Sequence, residues 1–233
     1  MKSKLLFTIL FIVITLIEIS ANLAGFILLV YIFKPLIVIS LILFAWKFQS
    51  FPDTRYRTIF FTALLFALLG DVFLMIRGAD LFIPGLASFL IMQFLYISVF
   101  SRDIHSSVFT GKYLTAAFPL LLFAFALYAL LFSYLPDSVM RIAVAIYSVS
   151  ISSMAWMAWL RKGFVSLGSF KFVFAGATLF MISDSLIAID RFLHPIPLGT
   201  IWVMVSYAAA QYLIVMGVLK NKTGRFVKTS PPA

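Results

Sequence analysis

The chain has 233 residues, 64% hydrophobic and only 11% charged, with a mean hydropathy of +1.12; soluble domains carry about 25% charged residues, so a water-soluble globule is excluded. The net charge of +10 comes from basic residues scattered between apolar runs, with no contiguous basic domain, which argues against nucleic acid as a partner. With no cysteine and two histidines, His105 and His194, the chain has no disulfide or thiolate and cannot assemble a three-histidine zinc centre; only a carboxylate-bound magnesium or calcium is left open, and no metal site is expected.

A helix needs about 20 mainly apolar residues to cross the hydrocarbon core, whereas a barrel strand needs only a short alternating segment. The long unbroken runs therefore predict an all-α, polytopic transmembrane helical bundle of about eight helices. Taken in order, the spans fall near residues 5–20, 23–46, 58–76, 81–100, 113–132, 139–160, 170–190 and 198–219. Ser20, Ala21 and Asn22 barely separate the first two, and Lys34-Pro35 interrupts the second, so a start near Tyr31 is an alternative to Leu23. Lys2 and Lys4 ahead of an apolar stretch ending Ile19-Ser20-Ala21 also fit a secretory signal, whose cleavage would leave seven spans. The pattern reads as one transmembrane domain over residues 1–219 and a polar cytoplasmic tail over 220–233. No internal repeat supports an inverted-repeat transporter.

With the N-terminus inside, 14 basic residues fall on the inner side and three, Arg77, Arg141 and Arg191, on the outer side, with Lys34 inside a span. That bias predicts cytoplasmic termini. It also sets depth, placing Asp71 and Asp184 toward the outer ends of the third and seventh spans, with Lys34 and Glu18 in the outer half of the second and first. An ionised side chain is costly against lipid, so such residues point into the bundle or a wet cavity and find partners. On helical spacing Asp184 shares one face with Ala188 and Arg191, and another with Ala177 and Met181. Gly70, beside Asp71, offers room for another backbone.

Each of these residues also has a purely structural reading. Lys34 paired with either aspartate would fix helix register, while Glu18 and Asp190 suit the membrane interface. Gln93, Tyr96, Tyr207 and Gln211 suit interhelical hydrogen bonds. His194 and His105 fall in an outer and an inner loop, and Trp46, Trp156, Trp159 and Trp202 suit interface anchors. Ser183 and Ser185 flank Asp184, but no nearby histidine equips either as a nucleophile.

Leu69-Gly70-Asp71-Val72-Phe73-Leu74-Met75 and Ser183-Asp184-Ser185-Leu186-Ile187-Ala188 together resemble the paired signature of the YhhN-like family, which includes the animal lysoplasmalogenases. Lys34-Pro35, Gly85, Phe89 through Tyr96, Tyr147, Met154-Ala155-Trp156 and Tyr207 through Tyr212 extend the resemblance through nearly the whole chain. One departure is Gln93, where the family often carries histidine; proton transfer there is not transferable, whereas hydrogen bonding is.

The resemblance implies hydrolysis of the vinyl ether bond of a lysophospholipid substrate held among membrane lipids, with no cofactor. Asp71 and Asp184 would then be catalytic, since vinyl ethers resist base and yield to acid, and a carboxylic acid with a carboxylate suits that chemistry. Lys34 or Arg191 would hold the phosphate, and Tyr96, Tyr207, Gln211 and Gln93 would position headgroup or water. Two other readings remain: a lipid or proton-coupled transporter, because intramembrane carboxylates also form relays, and a non-catalytic lipid-binding membrane protein whose buried polar groups only specify packing.

Overall fold

A computed structural model describes residues 2–48, 51–76, 80–104, 115 and 117–221. His105, Lys112, Arg77 and the expected polar tail beyond Asn221 lie outside the described residues. Eight helices fill the described chain: α1 (Lys2–Leu23), α2 (Ile27–Lys47), α3 (Thr54–Met75), α4 (Phe82–Ser101), α5 (Ala117–Leu131), α6 (Ser138–Leu160), α7 (Leu167–Phe192) and α8 (Gly199–Lys220). All eight segments are long and apolar enough to cross a membrane, α5 when counted with the 3-10 turn Phe132–Tyr134 that extends it. This is a multi-pass membrane protein.

Local chemistry moves several boundaries away from where hydropathy puts them. The second span begins at Ile27, at neither Leu23 nor Tyr31, because Gly25 (φ +74°) lets the chain reverse after α1, with the Phe26 amide donating to the Ala21 carbonyl at 2.9 Å. The third begins at Thr54, ahead of the expected residue 58, because Asp53 caps it, accepting from the Tyr56 amide at 2.7 Å. Ser166 caps α7 in the same way, so that helix opens at Leu167 instead of 170. Asp137 accepts from the Met140 amide at 2.8 Å and starts α6.

Helix α1 lies against α2 and α8, with Phe7 stacked on Phe44 at 3.9 Å and Thr8 sharing a 2.7 Å hydrogen bond with Tyr212. The most extensive contact joins α7 to α8. Its cause is small residues: a Cβ on Gly176 would stand 2.8 Å from the Ala210 carbonyl oxygen, and one on Gly217 would meet the Val173 amide nitrogen at 2.8 Å. In lipid, where burial between helices gains little from water exclusion, such close backbone approach supplies the packing. Helix α5 is the opposite case. It packs mainly on α6, touches α7 lightly, and buries only Ala117, Ala124 and Leu131.

At the end of the bundle where α4, α6 and α8 finish, a buried polar knot ties the helices together. The Asp103 Oδ2 accepts from Arg161 Nε at 2.8 Å and from the Tyr56 hydroxyl at 3.1 Å, while its Oδ1 accepts from Asn221 Nδ2 at 2.9 Å. Arg161 donates onward to Ser169 Oγ at 3.0 Å, which donates to the Gly217 carbonyl at 2.7 Å. Burial pushes the Asp103 carboxyl up, against the pull of the Arg161 guanidinium and its hydrogen bonds. Hydropathy reads Asp103 and Arg161 as loop charges; the structure makes them an ion pair with side chains 3% and 0% exposed.

Removing one partner of such a pair strands the other. Asp103→Ala is expected to lower unfolding stability by about 3 kcal/mol or more. The double change Asp103→Leu with Arg161→Met should cost less than the two single losses added. Denaturant titration in detergent micelles measures both.

Candidate intramembrane carboxylate site

Because successive helices run in opposite directions, the C-terminal ends of α3 and α7 share one end of the bundle with the N-terminal ends of α4, α6 and α8. Asp184 lies eight residues before the end of α7 and Tyr207 eight residues after the start of α8, each about 12 Å below that end at 1.5 Å per residue. Tyr147, nine residues into α6, sits at a similar level. Depth alone brings these polar groups into one layer.

Asp71 lies four residues before the end of α3, about 6 Å below it, and each aspartate is held by a tyrosine. The Tyr207 hydroxyl donates to Asp71 Oδ2 at 2.7 Å, joining α8 to α3, and the Tyr147 hydroxyl donates to Asp184 Oδ2, joining α6 to α7. The two carboxyls lie within electrostatic reach of each other. Tyr96 donates to Gln211 Oε1 at 2.9 Å and Gln211 Nε2 contacts the Met92 sulfur at 3.4 Å, forming a further tier between α4 and α8. Gln93 stands beside Tyr147. It is fully buried.

Two aromatic contacts set the walls. The Phe89 ring meets Tyr207 and Phe180 edge-on, both at 5.9 Å. A Cβ on Gly70 would fall 2.7 Å from that ring, so Gly70 makes room for the Phe89 side chain, and a Cβ on Gly85 of α4 would stand 3.6 Å from the Gly70 carbonyl oxygen, the close helix approach that the sequence suggests. Phe89 also borders an apolar cavity enclosed by α3, α4, α5, α6 and α7, whose polar wall is Tyr147, Ser148, Asp184 and Ser185. Ala188 and Met181, expected to share faces with Asp184, line it too. Asp71 and Tyr207 stand behind this wall, Asp71 being 3% exposed.

The cations are distributed differently. Lys34 is half-buried on α2 and acts on both Asp71 and Glu18 through space, with no carboxylate of the described residues inside the 4.0 Å of an ion pair. Glu18 is fully buried, beside the Asn22 side chain. Arg191 lies at the rim. Its Nη2 donates to both Asp80 oxygens at 3.0 Å, and its guanidinium stacks 4.0 Å over the Phe82 ring. Among the described residues no group of three histidines, cysteines or carboxylates could hold a metal.

Tyr147 is the partner that residue reasoning misses, entering the sequence only through the family resemblance. A lone tyrosine in an apolar span reads as an anchor. The signal was the set of serines that follows it, of which Ser148, Ser150 and Ser152 are buried, polar groups that suit helix–helix contact.

Eight apolar helices around a pair of tyrosine-held carboxyls define a polytopic membrane protein with an intramembrane acid site. The chain belongs to the YhhN family, whose model matches residues 29–218. It is 32% identical over 189 residues to lysoplasmalogenase TMEM86B of Homo sapiens, covering 81% of this chain and 74% of that one. Lysoplasmalogenase TMEM86A of Bos taurus is 28% identical over 165 residues, covering 70% of this chain and, at 65%, just under two thirds of its own length. No solved structure matches the chain.

If the tyrosines hold the carboxyls in place, Tyr147→Phe and Tyr207→Phe should each lower unfolding stability by about 1–3 kcal/mol, the cost of leaving a buried acceptor without its donor. The same denaturant titration reads this, and an unchanged midpoint in either variant would show that its hydroxyl does not support the site.

Proposed function

We propose that this protein is a membrane lysoplasmalogenase, an ether hydrolase that cleaves the vinyl ether of a lysophospholipid to a fatty aldehyde and glycerophosphoethanolamine or glycerophosphocholine. One observation carries the reading: an aspartate on the wall of an apolar cavity has a second aspartate within electrostatic reach behind it, in a chain whose relatives are named lysoplasmalogenases.

The chemistry follows from the bond. A vinyl ether breaks when an acid protonates its β-carbon, the double-bond electrons forming the new C–H bond and leaving an oxocarbenium ion at the α-carbon. Water adds there and gives up a proton. The hemiacetal then expels the glycerol hydroxyl as the aldehyde carbonyl forms, so that one water is consumed overall. This parallels glycoside hydrolysis, in which one carboxylic acid donates and one carboxylate stabilises the cation or activates water.

Asp184, bordering the cavity, is the proton donor in this scheme. Asp71, which shares the field of Lys34, serves as the carboxylate that stabilises the cation. Tyr147 and Tyr207 orient the two groups. Gln93, fully buried beside Tyr147, carries amide donors and an acceptor that suit the attacking water without a proton-transfer role. Tyr96 and Gln211 keep α4 and α8 in register behind Tyr207. Lys34 and Arg191 provide positive charge for the lipid phosphate, Arg191 from the rim.

Purified protein in lipid nanodiscs, given a lysoplasmalogen or its alkyl-ether analogue, should release aldehyde from the first only. Asp71→Asn and Asp184→Asn should each lose about a hundredfold or more of that rate, the scale of general acid–base catalysis. Full activity in either variant would remove that aspartate from the mechanism. Lipid or proton movement without aldehyde would establish the transporter reading instead.

The same reading places both termini in the cytoplasm, on the strength of the basic-residue bias. In this cysteine-free chain, Lys162→Cys in whole cells should resist an impermeant thiol reagent while Pro136→Cys reacts. The reverse pattern would invert the topology.

A further inference from the structure

On the α5 side the cavity at Asp184 is walled by Leu127 and Leu131. A second, open groove lies between α5 and α7, lined by Ala126, Leu130, Ile182, Leu186 and Ile189 among others, and it shares Leu127 and Ser185 with the cavity. Ser185 is the residue next to Asp184. The two spaces therefore adjoin across Leu127 and Ser185, on the path from the outer flank of the bundle to the acid site. That path runs where contact is sparse, since α5 packs mainly on α6 and touches α7 lightly.

The end of the cavity near the 193–198 loop is built in the opposite way. Phe82 and Phe192 both line it and meet edge-on at 5.6 Å. Arg191 stacks over Phe82 and is fixed by Asp80 at 3.0 Å. Aromatic packing and an ion pair cover that end, whereas the side facing the bilayer is closed by nothing stronger than aliphatic contact.

We propose that the α5–α7 groove seats the alkyl chain of the substrate and admits the lipid sideways from the bilayer, so that Ala126, Leu130, Leu186 and Ile189 determine chain-length preference. The proposal rests on the reading of the site as one that acts on a single-chain lipid. The occupant is a hydrocarbon chain because the groove is apolar along its length, faces the region occupied by lipid tails, and leads to an ionisable group at its inner end. A chain lying in it with its ether oxygen near Asp184 leaves the headgroup on the side of Arg191.

Two measurements test it in nanodiscs. An alkyl-ether lysolipid with a diazirine in mid-chain, which needs no turnover, should label peptides of α5 and α7, and unlabelled alkyl-ether lysolipid should suppress the labelling where diacyl lipid does not. Ala126→Trp, a change at an exposed position on α5, should fill the groove and lower kcat/KM for a hexadecenyl lysoplasmalogen about tenfold relative to an octenyl one, as the burial of a few methylenes is lost. Leu186→Ala should move preference toward longer chains. Labelling outside α5 and α7, labelling suppressed equally by diacyl lipid, or an unchanged chain-length profile in an active Ala126→Trp protein would each overturn the groove. Specific labelling in α5 and α7 with no aldehyde from the wild type would uphold the groove and refute the proposed hydrolysis.

Discussion

A carboxyl group inside the hydrocarbon zone has no water to fall back on, so the protein itself must supply its hydrogen-bond partner. Here that partner is a tyrosine for both Asp71 and Asp184, and in both cases it comes from a different helix. The two bonds therefore do more than satisfy an acceptor. They join α8 to α3 and α6 to α7, and since α7 and α8 are already locked by glycine contacts, all four helices become referenced to one another. The remaining polar tier, Tyr96 with Gln211, adds α4 to the same frame.

Rigidity is concentrated on one side of the molecule. The α7–α8 contact cannot tolerate even a methyl group at Gly176 without moving backbone atoms, and the Asp103–Arg161 knot fixes the opposite end of the bundle. Helix α5 takes part in neither. A site whose acids are held by the rigid side and whose apolar wall is completed by the loosely attached helix meets two demands at once: fixed geometry at the reacting atoms and access for a lipid.

Hydropathy made the spans legible because each is a long apolar run, and it exposed Asp71 and Asp184 because an acid is conspicuous within one. It misplaced helix starts at Thr54 and Leu167, where one capping side chain decides the boundary and a window average does not register it. Asp103 and Arg161 were illegible for a related reason. Both sit where a span ends, and composition cannot distinguish a solvated loop charge from one folded back under Phe100. Tyr147 and the α5–α7 groove depend on which faces meet, and eight nearly uniform apolar helices encode that only weakly in sequence period.

The positions of the cations bear on how the two aspartates divide their work. Arg191 is committed to Asp80 and Phe82 at the rim, and Arg161 to Asp103 at the far end, which leaves Lys34 as the described cation acting on the buried pair, and it acts on Asp71. Two like carboxyls in one low-dielectric layer do not share a charge evenly, and a single cation on one side breaks their symmetry. In the proposed hydrolysis this asymmetry gives the carboxylate role to Asp71, on which Lys34 acts, and the proton-donor role to Asp184, on the cavity face. Glu18 enters the same balance from α1, a helix outside the family match at 29–218. Acting on Lys34 as Asp71 does, it competes with Asp71 for that one positive charge.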